Sequence, residues 1–363
     1  MNTFSRRNFL STAIAGGAAL SLPLKAMYLQ QQETKGKTES RQSRVSLTTA
    51  NDRADIVFKA LKPFSEEIKR AIGNKRVVLK PNNVLIYVPL CATHVETLEG
   101  ILEFLKSIGK HRNVIIAESS ASGSTIEGFD NYGYYNLLKK YPVKLVDLDD
   151  GEWEDMYVTD ERDLRPHLMR ISSIITDPGS YIVSVARMKT HNGLIATLSL
   201  KNIVIGAPIK DHGFTLYNED KRFSEKAVES KPGTVSYKRL IHGSGIYALN
   251  YNVASLAPKV HPDLAVIDGF IGMEGHGPTL GSPIEHKVCV VSQDWLAADR
   301  VGIELMGIDF KNIGYLNYCA YMGLGNADLA AIEVIGENIK DHIKTYKMPD
   351  NFERLKAWMQ PKA

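Results

Sequence analysis

The sequence predicts an α/β fold: a mainly parallel sheet with flanking helices and a site at the carboxyl edge of its strands. Three observations predict it. Short apolar, β-branched runs alternate with stretches of helical periodicity. Several of those runs end in a polar or ionisable residue beside Gly, Asn, Ser or His. The chain has 363 residues, 44% hydrophobic and 23% charged, enough to bury a large core.

The first residues read as an address rather than as fold. Ser5-Arg6-Arg7-Asn8-Phe9-Leu10 precedes a mildly apolar, Gly/Ala-rich run, 11–24, with a cut expected after Ala26. This resembles a twin-arginine export signal; a chance Arg pair before an amphipathic helix is the alternative. The run is too short for a permanent membrane span. The expectation is an exported protein, periplasmic or otherwise extracytoplasmic. Residues 27–50 are polar and aperiodic and read as a disordered linker. The folded part is expected over 51–363, as one domain or as two lobes meeting near residue 180.

In order, residues 52–72 carry Ile56, Leu61, Phe64 and Ile68 at helical spacing, with a break at Pro63 and Gly73 as the stop. A strand over 77–79 ends at Lys80-Pro81-Asn82-Asn83, because Lys80 must be extended before proline. Thr93 is the expected cap of a helix over 94–108. Residues 113–117 form a strand ending at Glu118, followed by a flexible Ser-rich segment. A helix over 132–141 and a strand over 143–148 follow. The acidic stretch 151–166 suggests an edge hairpin. Asp177-Pro178-Gly179 is a turn that introduces a buried strand from Tyr181, which delivers Arg187, Lys189, Thr190 and His191 at its end. Residues 211–239 read as a polar excursion over the surface or a lid. His242-Gly243-Ser244-Gly245 leads into a helix over 246–257. A strand over 264–267 ends at Asp268, before a glycine-rich loop over 272–281 and a strand over 288–292. Asp294 caps a helix to Met306, and a last long helix is expected from about residue 326 to 343.

Composition excludes several classes. The net charge of +3 is near neutral and includes no basic block with interleaved aromatics, which argues against nucleic acid. Cys91, Cys289 and Cys319 form no CxxC, zinc or ferredoxin spacing. An iron–sulfur cluster within this chain is therefore not expected. Three separated cysteines read as small buried hydrophobes, one disulfide being the alternative.

Lys80, Glu118, Lys189 and Asp268 stand at strand ends that a right-handed parallel sheet places on one edge. Any one of them alone can simply be a charge where a strand meets water; together they point to a shared cleft. Lys189 and Lys201 suit a carboxylate or phosphate. Lys201 and Asn202 lie in an apolar segment, where a lysine needs a partner, a ligand or a route outwards. His191 can act as a base, a metal ligand or a plain hydrogen-bonding residue. His242 and Ser244 precede a helix, as an anion-binding nest or as a simple cap. Asp268, Glu274 and His276 offer ligands for a divalent metal; exposed polar tips of a tight loop are the alternative.

Lys80-Pro81-Asn82, Glu118, Met188-Lys189-Thr190-His191, Ser199-Leu200-Lys201-Asn202, Val266-Ile267-Asp268-Gly269 and Met273-Glu274-Gly275-His276-Gly277-Pro278 occur in that order. This order resembles the DUF362 family, a domain of unknown function, over about 76–336. The resemblance implies that Lys80, Asn82, Glu118, Lys189, His191, Lys201, Asn202, Asp268 and Glu274 share one site. Many members resemble redox proteins through a ferredoxin-type domain, whose cysteine runs are missing here. The leading expectation is an exported enzyme acting on a small anionic metabolite, with Lys189 and Lys201 holding the anion and His191 or Glu118 as acid or base. The alternatives are a non-catalytic ligand- or metal-binding protein and a redox accessory subunit with an iron–sulfur partner protein.

Overall fold

The computed structural model describes residues 42–359. The signal-like segment 1–26 and residues 27–41 of the expected linker lie outside them. The order is β1 (Ser43–Thr49), α1 (Arg53–Leu61), α2 (Ser65–Ile72), β2 (Arg76–Lys80), α3 (Val95–Ser107), β3 (Val114–Glu118), α4 (Thr125–Asn131), β4 (Val143–Asp147), β5 (Trp153–Thr159), β6 (Pro166–Ser172) and β7 (Ser180–His191). Then come β8 (Ile195–Thr197), α5 (Ser199–Gly206), α6 (Tyr237–His242), α7 (Ile246–Leu256), β9 (Leu264–His276), β10 (Leu280–Ser292), α8 (Trp295–Leu305), α9 (Gly314–Tyr321) and β11 (Ile332–Gly336), counting helices of six residues or more.

One nine-stranded sheet runs β11-β1-β10-β9-β7-β2-β3-β4, with β8 on β7; β5 and β6 form a separate hairpin. The block β9-β7-β2-β3-β4 is parallel throughout, as expected. β10 runs antiparallel to β9 and β1, so the sheet is mixed at that end. Alternate residues face opposite layers. Val77, Leu79, Tyr181, Val183 and Val185 pack with α1, α2 and α3, whereas Val78 and Ile182 pack with α5, α7 and α8. The result is a helix–sheet–helix sandwich. The strand that opens near residue 180 lies inside this sheet.

Several expectations are corrected. Residues 43–49 are a strand rather than linker, parallel to β11 and antiparallel to β10. No helix runs over 326–343; the stretch holds β11 between short 3₁₀ turns. β1 is paired on both sides, by β10 and β11, and β11 closes the edge of the sheet on β1. The Ser-rich segment is followed by α4, capped by Ser124, and residues 134–139 are 3₁₀ rather than α. Thr93 does not cap α3; His94 does, and the Thr93 hydroxyl donates to Val185 O at 2.6 Å. The glycine-rich stretch is not a loop but the arms of the long β9–β10 hairpin. A Cβ at Gly277 would stand 2.1 Å from Thr190 O, so this glycine serves close strand approach. Among the described residues, no helix is long and apolar enough to cross a membrane.

Candidate functional site

The parallel block sets the site. β3 lies on one side of β2 and β7 on the other, so the connection direction reverses at β2, where open sheets hold ligands beyond their carboxyl ends. Lys80 closes β2, Glu118 closes β3, and Lys189 and His191 end β7. α5 begins eight residues after His191 and carries Lys201 and Asn202 back across this end.

These residues form one buried polar network. Glu118 accepts from Lys80 Nζ at 2.8 and 2.9 Å, from Asn83 N at 3.0 Å and from Ser119 N at 2.8 Å. Every lone-pair direction of this carboxylate is thus engaged, and its place is that of a fixed counter-ion. Asn202 Oδ1 accepts from Lys80 Nζ at 3.3 Å and from Asn82 Nδ2 at 3.0 Å. Asn82 Oδ1 in turn accepts from Lys189, whose ammonium also donates to Cys91 O at 2.7 Å. Burial brings the Lys189 pKa down to about 8.

A cavity of about 50 Å³ opens beside this network, lined in part by Asn82, Glu118, His191, Lys201, Lys238 and His242. Lys201 is only 5% exposed. Among the described residues its Nζ meets no hydrogen-bond acceptor and no carboxylate, and the nearby charges that act on it are the Lys189 and Lys80 ammoniums. Burial first, and those two cations second, hold its pKa well below the usual lysine value.

The two histidines are stacked, with ring centroids 5.7 Å apart. His191 Nδ1 accepts from Gly193 N at 2.9 Å and Leu194 N at 3.2 Å, which assigns its proton to Nε2. His242 Nδ1 lies 2.9 Å from Lys238 O and donates to it, which leaves a lone pair on Nε2. Burial, reinforced by Lys201, keeps both rings neutral; His242 falls to about 4. The cavity therefore has one imidazole donor and one imidazole acceptor on its wall.

Lys238 escaped sequence reasoning because it sat inside the apparent excursion 211–239. Its signal was the spacing to His242, one helical turn on the same face of α6. Its Nζ donates to Gly206 O at 2.9 Å and to Pro208 O, and burial lowers its pKa to about 7. Asp299 was also unresolved by the sequence. Buried in α8, it accepts from Ser199 N at 2.7 Å and Leu200 N at 3.0 Å, capping the helix that carries Lys201. Burial raises its pKa to about 7 in spite of those two bonds.

Other candidates lie elsewhere. Asp268 pairs with Arg53 at 3.4 Å and accepts from Thr97 Oγ1 at 2.7 Å, on the sheet face that carries α1 and α3. Asp268 lies opposite Arg187 in the register, and a shift beyond it brings Met273 opposite Lys189. The Glu274 carboxylate accepts from Lys347 N at 2.9 Å, and His276 lies 3.4 Å from Asn192 Nδ2. The three metal candidates are separated along a strand and do not converge. No group of three or more His, Cys, Asp or Glu among the described residues is arranged to hold a metal ion. Ser244 is spent internally, donating to Ile241 O at 2.7 Å and accepting from Asn252 at 3.2 Å. The expected nest beside it is filled by Glu161, whose carboxylate accepts from Tyr247 N at 3.0 Å. The three cysteines are buried and unbridged.

Two predictions arise here. A Cβ at Gly206 would stand 2.3 Å from Lys80 Nζ, an atom that cannot move without leaving Glu118. Gly206→Ala is expected to lower the unfolding free energy by about 1–3 kcal/mol, measured by urea denaturation. Lys238 and Lys189 titrate at about 7 and about 8 in the folded protein, against 10.5 ordinarily. Above those values the unfolded chain binds the extra protons, so these lysines make stability rise with pH. The rise is expected from ~pH 7 to ~pH 8.5, where unfolded thiols begin to ionise. Urea midpoints across that window check it, and the slope is expected to shrink in Lys238→Met.

The fold and cavity define the class first: a helix–sheet–helix protein with a cation-lined pocket at the strand ends of a parallel sheet. The family follows, because a family model described as "Domain of unknown function (DUF362)" matches residues 77–304. The chain belongs to the DUF362 family. A curated relative, thylakoid-associated protein sll1697 of Synechocystis sp., is 27% identical over 239 residues, 64% of this chain and 64% of that protein. The match thus spans slightly less than two thirds of the relative's own length. A crystal structure of a Thermotoga maritima protein aligns with 68% of this chain and 58% of its own, at 12% identity and a TM-score of 0.38. That likeness is too loose to bear on the site.

Proposed function

We propose that this chain is an enzyme whose substrate is a small anionic metabolite, bound in the cavity between α5, α6 and the ends of β2, β3 and β7. The observation that carries the reading is the imbalance of charge. Lys80 pairs with Glu118 and Lys210 with Asp149, but among the described residues Lys189, Lys201 and Lys238 form no ion pair with a carboxylate. A cluster of cations in a dry site is unfavourable until an anion enters, so a bound anion recovers the electrostatic strain of the free protein. The cavity has room for a small anion of a few non-hydrogen atoms. Lys238 holds the anion with Lys201 as a neighbouring hydrogen-bond donor, His191 donates from Nε2, and His242 receives a proton at Nε2. Glu118 keeps Lys80 in place.

A thermal-shift screen against inorganic phosphate, acetate, lactate and pyruvate tests the reading. The wild type is expected to be stabilised by at least one of them, and the double variant Lys201→Met, Lys238→Met by none. No response in the wild type, or an equal response in the double variant, refutes it.

The reading includes export by the twin-arginine-like segment, supported by Arg6-Arg7, Phe9 and the mild apolar run that follows. Full-length protein is expected to be processed and found outside the cytoplasm, and Arg6→Lys with Arg7→Lys to leave it inside. Equal distribution of both removes this part.

A further inference from the structure

The mechanism above leaves one feature of Lys201 unused. An anion site needs charge, yet Lys201 is the side chain that the fold least equips to carry it. Lys189 and Lys238 each donate to two protein oxygens. Lys201 donates to none among the described residues, and its stem is packed in the first turn of α5. It shares the cavity with the donor Nε2 of His191 and the lone-pair Nε2 of His242. An amine that meets no protein acceptor among the described residues, in a cavity walled by one imidazole donor and one imidazole acceptor, has the surroundings of a nucleophile.

We infer that Lys201 forms a Schiff base, and that the metabolite bound in this cavity carries an aldehyde or ketone carbon next to its anionic group, as in a small 2-oxo acid. This rests on the anion reading, since Lys238 then holds the carboxylate while the carbonyl faces Lys201. Burial and the neighbouring cations, which lower the Lys201 pKa, are consistent with this geometry. Nζ attacks the carbonyl carbon, a C–N bond forms and the carbonyl π pair moves to oxygen. The His191 Nε2–H stabilises that oxygen by hydrogen bonding and keeps its proton. His242 Nε2 takes one Nζ proton and passes it to the oxygen, giving the carbinolamine. A second Nζ proton follows the same route as the C–O bond breaks and water leaves. Amine and carbonyl become imine and water, with both protons accounted for and no redox partner required.

Asp299 has a supporting part as a positioning residue, since its cap fixes the start of the helix that presents Lys201.

The test is borohydride trapping on the full chain near pH 7, with pyruvate, 2-oxobutanoate and glyoxylate as probes. Lactate is the carbonyl-free counterpart. The expected result is one reduced adduct per chain by intact mass with at least one 2-oxo acid, mapped to Lys201 by peptide sequencing and absent with lactate. Lys201→Arg, folded by circular dichroism, is expected to lose at least tenfold of that adduct. Mapping on the wild type stands even if the variant fails to fold. Stabilisation by lactate or phosphate with no Lys201 adduct from any 2-oxo acid overturns the Schiff base and leaves the anion site standing. Neither stabilisation nor adduct overturns both. Adducts spread over surface lysines, without enrichment at Lys201, also overturn the inference.

Discussion

Glu118→Gln is expected to lower the unfolding free energy by roughly 3–5 kcal/mol, because it removes one member of a buried ion pair and leaves the other charge uncompensated. Lys80 is fully buried, and Glu118 supplies the only carboxylate that its ammonium meets among the described residues. The remaining acceptors, Pro81 O at 2.9 Å and Asn202 Oδ1 at 3.3 Å, are neutral and do not replace it. The unfolding entropy of a chain this size makes the change a fall in Tm of roughly 5–8 °C. Burial by itself lowers the Lys80 pKa, and Glu118 offsets part of that. Replacing both residues by methionine is expected to cost less than either single change, since an apolar pair of similar volume leaves no orphaned charge. Urea denaturation of the two single variants and the double variant decides this. If Glu118→Gln unfolds like the wild type, the pair is not the anchor described above.

Lys201→Met should act in the opposite direction on stability and abolish the ligand response. The substitution keeps the length of the stem and removes a polar head that meets no acceptor among the described residues and lies near the Lys189 and Lys80 ammoniums. Removal of such a group is expected to stabilise the free protein by about 0.5–2 kcal/mol, the range typical where function has been kept against stability. The same variant should bind the responsive anion at least tenfold more weakly. The two effects together distinguish a ligand-binding lysine from a structural one. A structural lysine would lose stability on substitution, and a surface lysine would change neither property.

Much of this was legible in the chain. A strand before Lys80-Pro81, a strand before Glu118 and a strand from Tyr181 were each marked by β-branched residues and a turn signal, and the parallel block that unites their ends follows from βαβ handedness. Lys80, Asn82, Glu118, Lys189, His191, Lys201, Asn202 and His242 converge because their strands and helices do. What was not legible depended on partners distant in sequence. Residues 43–49 look like linker because Ser and Thr dominate them, and only β10 and β11 make them a strand. Asp268 also ends its expected strand, but Arg53 and Thr97, distant in sequence, engage its carboxylate, and such partners are not written in residue identity. The glycines over 272–281 suggested a loop; Gly272 and Gly277 instead serve the close passage of the β9–β10 hairpin beside β7. Asp299 has no local signal for its role, since the groups it caps, Ser199 N and Leu200 N, lie on α5. It required the crossing of two helices ninety residues apart.

The most direct test is a crystal structure of the protein grown with inorganic phosphate or with a responsive carboxylate. The account predicts an anion in the cavity, within hydrogen-bonding distance of Lys201 Nζ and His191 Nε2, with the Lys80–Glu118 pair intact beside it. A structure in which Lys201 is bonded to a protein carboxylate, or in which the cavity excludes the anion while other surfaces bind it, contradicts the account.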